Sequence, residues 1–115
     1  MSKKGELYCY LRVSSKVQEE EGNSIENQRF LGKRVSKKLG LTYVEMNEGH
    51  YSTTSKSRPK LEEIKTGIRI GRIKNLWYYS RSRWTRNDEE DSLIRRYYFQ
   101  KYKTKVFEGE SGSLR

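Results

Sequence analysis

Serine hydroxyls and arginine guanidiniums dominate the chemistry available to this 115-residue chain, which holds thirteen serines and twelve arginines. The two suit a reaction in which a serine oxygen attacks a phosphate while planar, permanently charged guanidiniums hold the developing negative charge. Other chemistries lack their parts. A Ser-His-Asp arrangement needs an imidazole beside a carboxylate, and the chain has one histidine, His50, and two aspartates, Asp88 and Asp91. Two-metal nuclease chemistry needs carboxylates gathered from several elements, whereas the acids here concentrate in two local runs, Glu19-Glu20-Glu21 and Asp88-Glu89-Glu90-Asp91. Asn87 with Glu90 has the spacing of a capping box, and acids in a first helical turn complement its positive end, so the second run reads as a helix start. The lone Cys9 lies in an apolar run. It excludes an intramolecular disulfide and a thiolate zinc site and reads as a small core residue.

These groups need a frame. Leu7 to Val13 is a nearly continuous apolar run, the mark of a strand buried on both faces of a parallel sheet, interrupted near its end by Arg12. After the polar stretch Ser14 to Asn23, Asn23 with Glu26 forms a second capping box, which predicts a helix to about Leu39 with Ile25, Gln28, Leu31, Val35 and Leu39 on its inner face. Gly40 closes that helix, Leu41 to Met46 reads as a second strand, and Asn47 to Ser57 as a mobile loop. Pro59 opens a short helix carrying Leu61, Ile64 and Ile68 inward, and Ile73 to Tyr79 is the third strand. A very basic loop, Ser80 to Arg86, precedes a helix from about Asp88 to Tyr102 with Leu93, Ile94, Tyr97, Tyr98 and Lys101 on one side. Val106-Phe107 is a fourth strand, and Gly109 to Arg115 a frayed tail. The alternation implies an α/β fold, an open, mainly parallel four-stranded sheet flanked by helices. Ligand sites in such sheets gather at the carboxyl ends of the strands. Arg12 and Ser14, Ser52 and Arg58, and Arg83 and Arg86 accompany the ends of strands one, two and three, so one site can contain all six.

Composition bounds what that frame can be. Leu, Ile, Val and Phe make up 23 of the 115 residues, or 20%, which borders on disordered composition and allows only a thin core. There is no alanine and there are nine tyrosines, so side chains with a polar tip line part of the interior. The length fits one domain. The net charge is +10, with +3 through residue 57 and +7 beyond it, which favours a polyanion, nucleic acid first, against the second half. No apolar run approaches the ~20 residues that cross a bilayer, and the N-terminus lacks the pattern of a signal peptide, so the expected location is cytoplasmic, with no membrane partner.

Tyr10-Leu11-Arg12-Val13-Ser14-Ser15, then Gln18, then Gly22-Asn23-Ser24-Ile25-Glu26-Asn27-Gln28 resemble, in order and spacing, the opening of the serine recombinases: resolvases, invertases and phage or transposon integrases. The resemblance continues through Glu48-Gly49-His50-Tyr51-Ser52, Arg58-Pro59 and Ser82-Arg83-Trp84-Thr85-Arg86-Asn87, and spans Leu7 to Gly112. It implies that residues 1–115 form a resolvase-like catalytic domain. Ser14 would attack a DNA phosphodiester, giving a covalent 5′-phosphoserine link and a free 3′-hydroxyl, and rejoining would need no metal or other cofactor. Arg12, Arg58, Arg83 and Arg86 match the family's active-site arginines, Gln28 a glutamine that supports the site, and Ser52 a hydroxyl of the mobile loop. Gln18 and Glu48 are supporting residues within the same motifs. Arg81, Arg69 and Arg72 are left for DNA phosphates outside the reaction. The implied partners are double-stranded DNA and further copies of the protein, a homodimer assembling to a synaptic tetramer.

Three features depart from the family pattern. Ser82 stands where many relatives carry an acid before the first arginine of the late motif. Ser52-Thr53 stands where Ser-Gly or Ser-Ala is common, with Glu48 or Asn47 at the upstream acidic position. Nothing matches the long dimer-forming helix and DNA-binding region that follow in family members, so the chain is expected to be truncated before them and weak in sequence specificity.

The residues also admit other readings. Gln28 equally suits a plain buried hydrogen bond to backbone. Arg83 and Arg86 suit a solvated basic loop that touches phosphates for affinity alone. Ser15 rivals Ser14 by adjacency, and only the motif register separates them. Tyr78-Tyr79 and Tyr97-Tyr98 offer tyrosine nucleophiles, although such pairs are usually core. The alternative to an enzyme is a non-catalytic basic module that binds nucleic acid by stacking and phosphate contacts.

Overall fold

Alternation along the first strand sets the architecture. In β1 (Glu6–Val13) successive side chains face opposite sides of the sheet, and both sides are covered. Leu7, Cys9 and Leu11 pack with Leu31, Val35, Trp77 and Phe107 in one core. Tyr8 and Tyr10 pack with Leu61, Ile64, Ile68, Trp84, Ile94 and Phe99 in the other. Helix α1 (Ile25–Leu39) therefore covers one face, and α2 (Pro59–Arg69) with α3 (Asp88–Ile94) the other, giving three layers. The computed structural model describes residues 5–13, 24–50, 58–80, 84 and 88–114.

The sheet has the order β2-β1-β3-β4-β5. β2 (Thr42–His50), β3 (Asn75–Tyr78) and β4 (Lys105–Glu108) continue β1 in parallel, and β5 (Ser113–Leu114) pairs antiparallel with β4. The expected mainly parallel α/β fold is borne out, with five strands rather than four. The tail from Gly109 does not fray up to Leu114. Gly109 and Gly112, at φ 83° and 66°, turn the chain back, and Phe107 pairs with Leu114. Trp77 Nε1 donates to Gly109 O at 2.9 Å and Lys38 Nζ to Ser111 O at 3.0 Å, fixing the turn to sheet and helix.

Other boundaries also differ from the sequence reading, and β3 is shorter than the expected Ile73 to Tyr79. The cap of α1 is Ser24, whose Oγ accepts from Asn27 N at 3.1 Å; Asn23 lies outside the described residues. β2 runs four residues past Met46. Asn47 Oδ1 accepts from Gly49 N at 2.8 Å, Gly49 takes φ 78°, and the register passes from Leu11–Asn47 to Arg12–Gly49. Glu48 is thus the extra residue of a β-bulge, and the polar residues that suggest a loop remain in the ladder. Finally, α3 continues as a π-helical stretch, Arg95–Gln100, whose i to i+5 bonding displaces the expected stripe. Phe99, five residues after Ile94, is buried, whereas Leu93 and Tyr97 are each 53% exposed and Lys101 is exposed.

Gly112 combines φ 66° with a position where a Cβ would lie 2.6 Å from Val35 Cγ1. Gly112→Ala therefore adds both backbone strain and overpacking, and should lower stability by about 2 kcal/mol in urea unfolding. Gly40→Ala, at φ 71° but facing open space, should cost only the backbone part, about 1 kcal/mol.

Candidate active site

The chain passes from β1 to β2 on one side and then crosses to β3 on the other. The connections after β1 and β3 leave toward opposite faces, which opens a crevice at the carboxyl ends of these strands. Arg12 near the end of β1, Glu48 near the end of β2, Arg58 at the start of α2 and Trp84 beyond β3 all meet there.

Tyr10 is the centre of the meeting point. It is fully buried, and its hydroxyl donates to Glu48 Oε2 at 2.9 Å while accepting from Arg58 Nε at 3.2 Å and Nη2 at 3.1 Å. Glu48 is itself buried and accepts from Lys60 N and Leu61 N, both at 3.0 Å. Helix α2 begins at Pro59 and has no side-chain cap of its own, so a carboxylate from β2 satisfies its first free N–H groups and complements the positive helix end. Burial above all pushes the Tyr10 phenol well above the ordinary tyrosine range; Arg58 opposes this and Glu48 reinforces it. At neutral pH Tyr10 is a protonated bridge between a carboxylate and a guanidinium.

Arg58 extends the bridge to the segment after β3. Its side chain is 14% exposed and pairs with Glu90 at 3.1 Å, and Nη2 also donates to the backbone carbonyl of Trp84. Trp84 is fully buried. Its ring stacks on Tyr78 at 5.3 Å and meets Tyr10 edge-on at 5.1 Å. One guanidinium thus joins β1, α2, α3 and the chain that leads from Tyr78 toward α3.

The last residues of β1 are held separately. Gln28 is fully buried; its Oε1 accepts from Arg12 N at 3.2 Å and its Nε2 donates to Arg12 O at 3.0 Å. A carboxamide presents one donor and one acceptor as a peptide group does, so Gln28 continues the hydrogen bonding of β1 beyond its last partner on β3, Tyr78 opposite Tyr10. Of the two readings of Gln28, the backbone hydrogen bond is present, and the residue it fixes lies two positions before Ser14.

Arg12, Gln28, Glu48 and Arg58 are therefore gathered at one end of the sheet. Ser14, Gln18, Ser52, Arg81, Arg83 and Arg86 lie outside the described residues, as does Asn87 of the expected capping box. Arg69 and Arg72 are elsewhere, at the far end of α2 and just past it, beside the amino ends of the strands. Sequence reasoning did not single out Tyr10, Trp84 or Glu90 for the site. Their signal was slight: a tyrosine inside a buried strand needs a partner for its hydroxyl. Among the described residues, no three His, Cys, Asp or Glu side chains lie close enough to hold a metal ion, and no helix is long and apolar enough to cross a membrane. Cys9 is buried in the opposite core, where desolvation pushes its thiol up to about 12, as befits an inert core residue.

Glu48→Ala would leave the Tyr10 proton and two N–H groups of α2 without their acceptor. Stability should fall by about 3 kcal/mol in chemical denaturation, and by less in Glu48→Gln, which keeps one acceptor.

Comparison with known proteins bears on the family and the fold. The family model described as Resolvase, N terminal domain, matches residues 7–111. No curated protein matches the chain. Among solved structures, the N-terminal catalytic domain of TP901-1 integrase is similar with a TM-score of 0.76 and 20% identity, over 95% of this chain and 81% of that one. A resolvase family site-specific recombinase from Streptococcus pneumoniae is similar with a TM-score of 0.70 and 23% identity, over 96% and 76%. At these identities the two structures bear on the fold. With the family model spanning nearly the whole sequence, the chain belongs to the resolvase N-terminal domain family, the serine recombinase catalytic domains that its motifs resemble.

Proposed function

We propose that this chain is the catalytic domain of a site-specific DNA recombinase that cleaves and rejoins double-stranded DNA through Ser14. The observation that carries the reading is the convergence of two anchored backbone segments on one crevice. Gln28 holds Arg12 two residues before Ser14, and Arg58 holds the carbonyl of Trp84, which in sequence follows Arg83 directly and precedes Arg86 by two residues. In the sequence, the proposed nucleophile and two of the proposed arginines stand within two residues of these anchors.

In the proposed reaction the Ser14 oxygen forms a bond to phosphorus as its proton leaves. The phosphorus–O3′ bond breaks, and the 3′-oxygen departs as a hydroxyl after taking up a proton. The phosphodiester is exchanged for a phosphoserine diester, so the reverse attack by a 3′-hydroxyl rejoins DNA without another energy source. Arg12, Arg83 and Arg86 would hold the negative charge that builds on the equatorial oxygens. Arg58 already has neighbours, of which Glu90 is the most exposed at 38%. A phosphate oxygen would replace Glu90 while Tyr10 and the Trp84 carbonyl keep the guanidinium in place. Gln28 and Glu48 act here as positioning residues, Gln18 and Ser52 as supporting ones, and Arg81 as a contact to DNA phosphate. The family resemblance extends the reading to dimers that pair into a synaptic tetramer, in which strands are exchanged between subunits.

Incubation with a nicked or mismatched duplex, followed by denaturation, should trap a protein–DNA adduct that disappears in Ser14→Ala. Arg83→Ala and Arg86→Ala should each slow its formation by ~10²- to 10³-fold. An adduct that survives Ser14→Ala would refute the assignment, and binding with no adduct on any strand-broken substrate would favour the non-catalytic module.

A further inference from the structure

The amino edge of the sheet carries a second cationic feature. A cleft of about 590 Å³ lies between the end of α2, the start of β3 and the start of β4. Arg69, Lys74, Lys103 and Lys105 line it, with Ile70 and Tyr102, and no acidic side chain does. Arg72 lines a different pocket, with Pro59, Glu62, Glu63 and Thr66. The nearby acid at the start of β1, Glu6, accepts the Tyr8 hydroxyl at 3.3 Å, and none of the four cations that line the cleft forms an ion pair among the described residues. Like charges gathered without counter-charge repel one another, and a polyanion that displaces their counterions relieves this.

Two details indicate a phosphate backbone rather than a diffuse charge. Lys103 has φ 55°, the one positive value outside glycine among the described residues, so a lysine stands where glycine would be unstrained. Ile70 is 65% exposed and Tyr102 37% exposed, which sets apolar and aromatic surface beside the cations, as suits a sugar or a base face. β1 is eight residues long, which separates this edge from the Arg12 end by roughly 23 Å, or about seven base-pair steps. A phosphate bound here is not the one cleaved at Ser14.

We infer that the cleft between α2, β3 and β4 is a second binding surface for the phosphate backbone of nucleic acid, remote from the catalytic crevice. The proposed reaction on DNA enters only in naming the nucleic acid, since the cleft and its charges stand without it. The sequence grouped Arg69 with Arg72 and Arg81 as DNA contacts; in the fold Arg69 belongs with Lys74, Lys103 and Lys105.

Binding of the 115-residue chain to a labelled duplex of about 30 base pairs, followed by anisotropy from about 50 to 200 mM salt, tests this directly. The double variant Lys74→Gln, Lys105→Gln should flatten the plot of log affinity against log salt by ~1.8, two phosphate contacts' worth. Lys103→Gly should flatten it by ~0.9 while Tm stays level or rises, an outcome a merely structural lysine would not give. At saturating duplex, all variants should form the Ser14 adduct as the parent does. Unchanged slopes would overturn the inference, as would variants that lose binding to polyglutamate while keeping the DNA slope. A parent that binds DNA with unchanged salt dependence in the variants but forms the adduct leaves the proposed reaction standing and removes this surface alone. A parent that binds but forms no adduct does the reverse, and one that binds no DNA removes both.

Discussion

The buried Tyr10 hydroxyl is the point on which the rest of this domain turns. A phenol that deep in a parallel sheet must find a partner, and here it finds two of opposite charge, Glu48 and Arg58. Because Glu48 also caps α2 and Arg58 also holds Trp84 and Glu90, one hydroxyl ties together β1, β2, α2 and the chain beyond β3. Taking a carboxylate and a guanidinium out of water is unfavourable unless each is fully hydrogen-bonded. The shared phenol and the helix N–H groups meet that condition at the end of the sheet where chemistry is expected.

This junction also accounts for a core built with so few aliphatic residues. Trp77, Trp84, Tyr10 and Tyr78 are among its largest fully buried side chains, and aromatic rings supply much apolar area per residue. Two of their polar tips are then put to use. Tyr10 joins the charged junction, and Trp77 Nε1 fastens the turn after β4. On the face of β2 that α1 covers, the same device recurs at smaller stakes. Glu45 receives both Arg29 and the Tyr43 hydroxyl, at 2.6 and 2.8 Å, and Arg29 first among these holds its carboxyl below the usual range.

Much of this was legible in the sequence, for a physical reason: strand alternation and helix spacing are local, and so are Gly40 and Pro59 as helix punctuation. The α/β order, the two-sided burial of β1 and the inward place of Gln28 follow from such patterns. What escaped was non-local or ambiguous. Asn47 and Gly49 are turn residues by type, and only the pairing of β1 with β2 makes them a bulge. The partners of Tyr10 lie 38 and 48 residues away, beyond any periodicity. The π-helical stretch replaces a spacing of three or four by five, which put Phe99 inside and Tyr97 outside. Arg69 and Arg72 looked equivalent to the other arginines as charges, yet α2 carries them to the end of the sheet opposite Arg12 and Arg58.

The central claim is that this junction and the Gln28 anchor serve a serine nucleophile at position 14. Its most direct measurement is the site of covalent attachment. Trypsin should release Val13-Ser14-Ser15-Lys16 as one peptide from the denatured protein–DNA adduct after nuclease trimming, and fragmentation separates the two serines. The account predicts a 5′-nucleotide phosphate on Ser14. Attachment at Ser15 or at a tyrosine would contradict it.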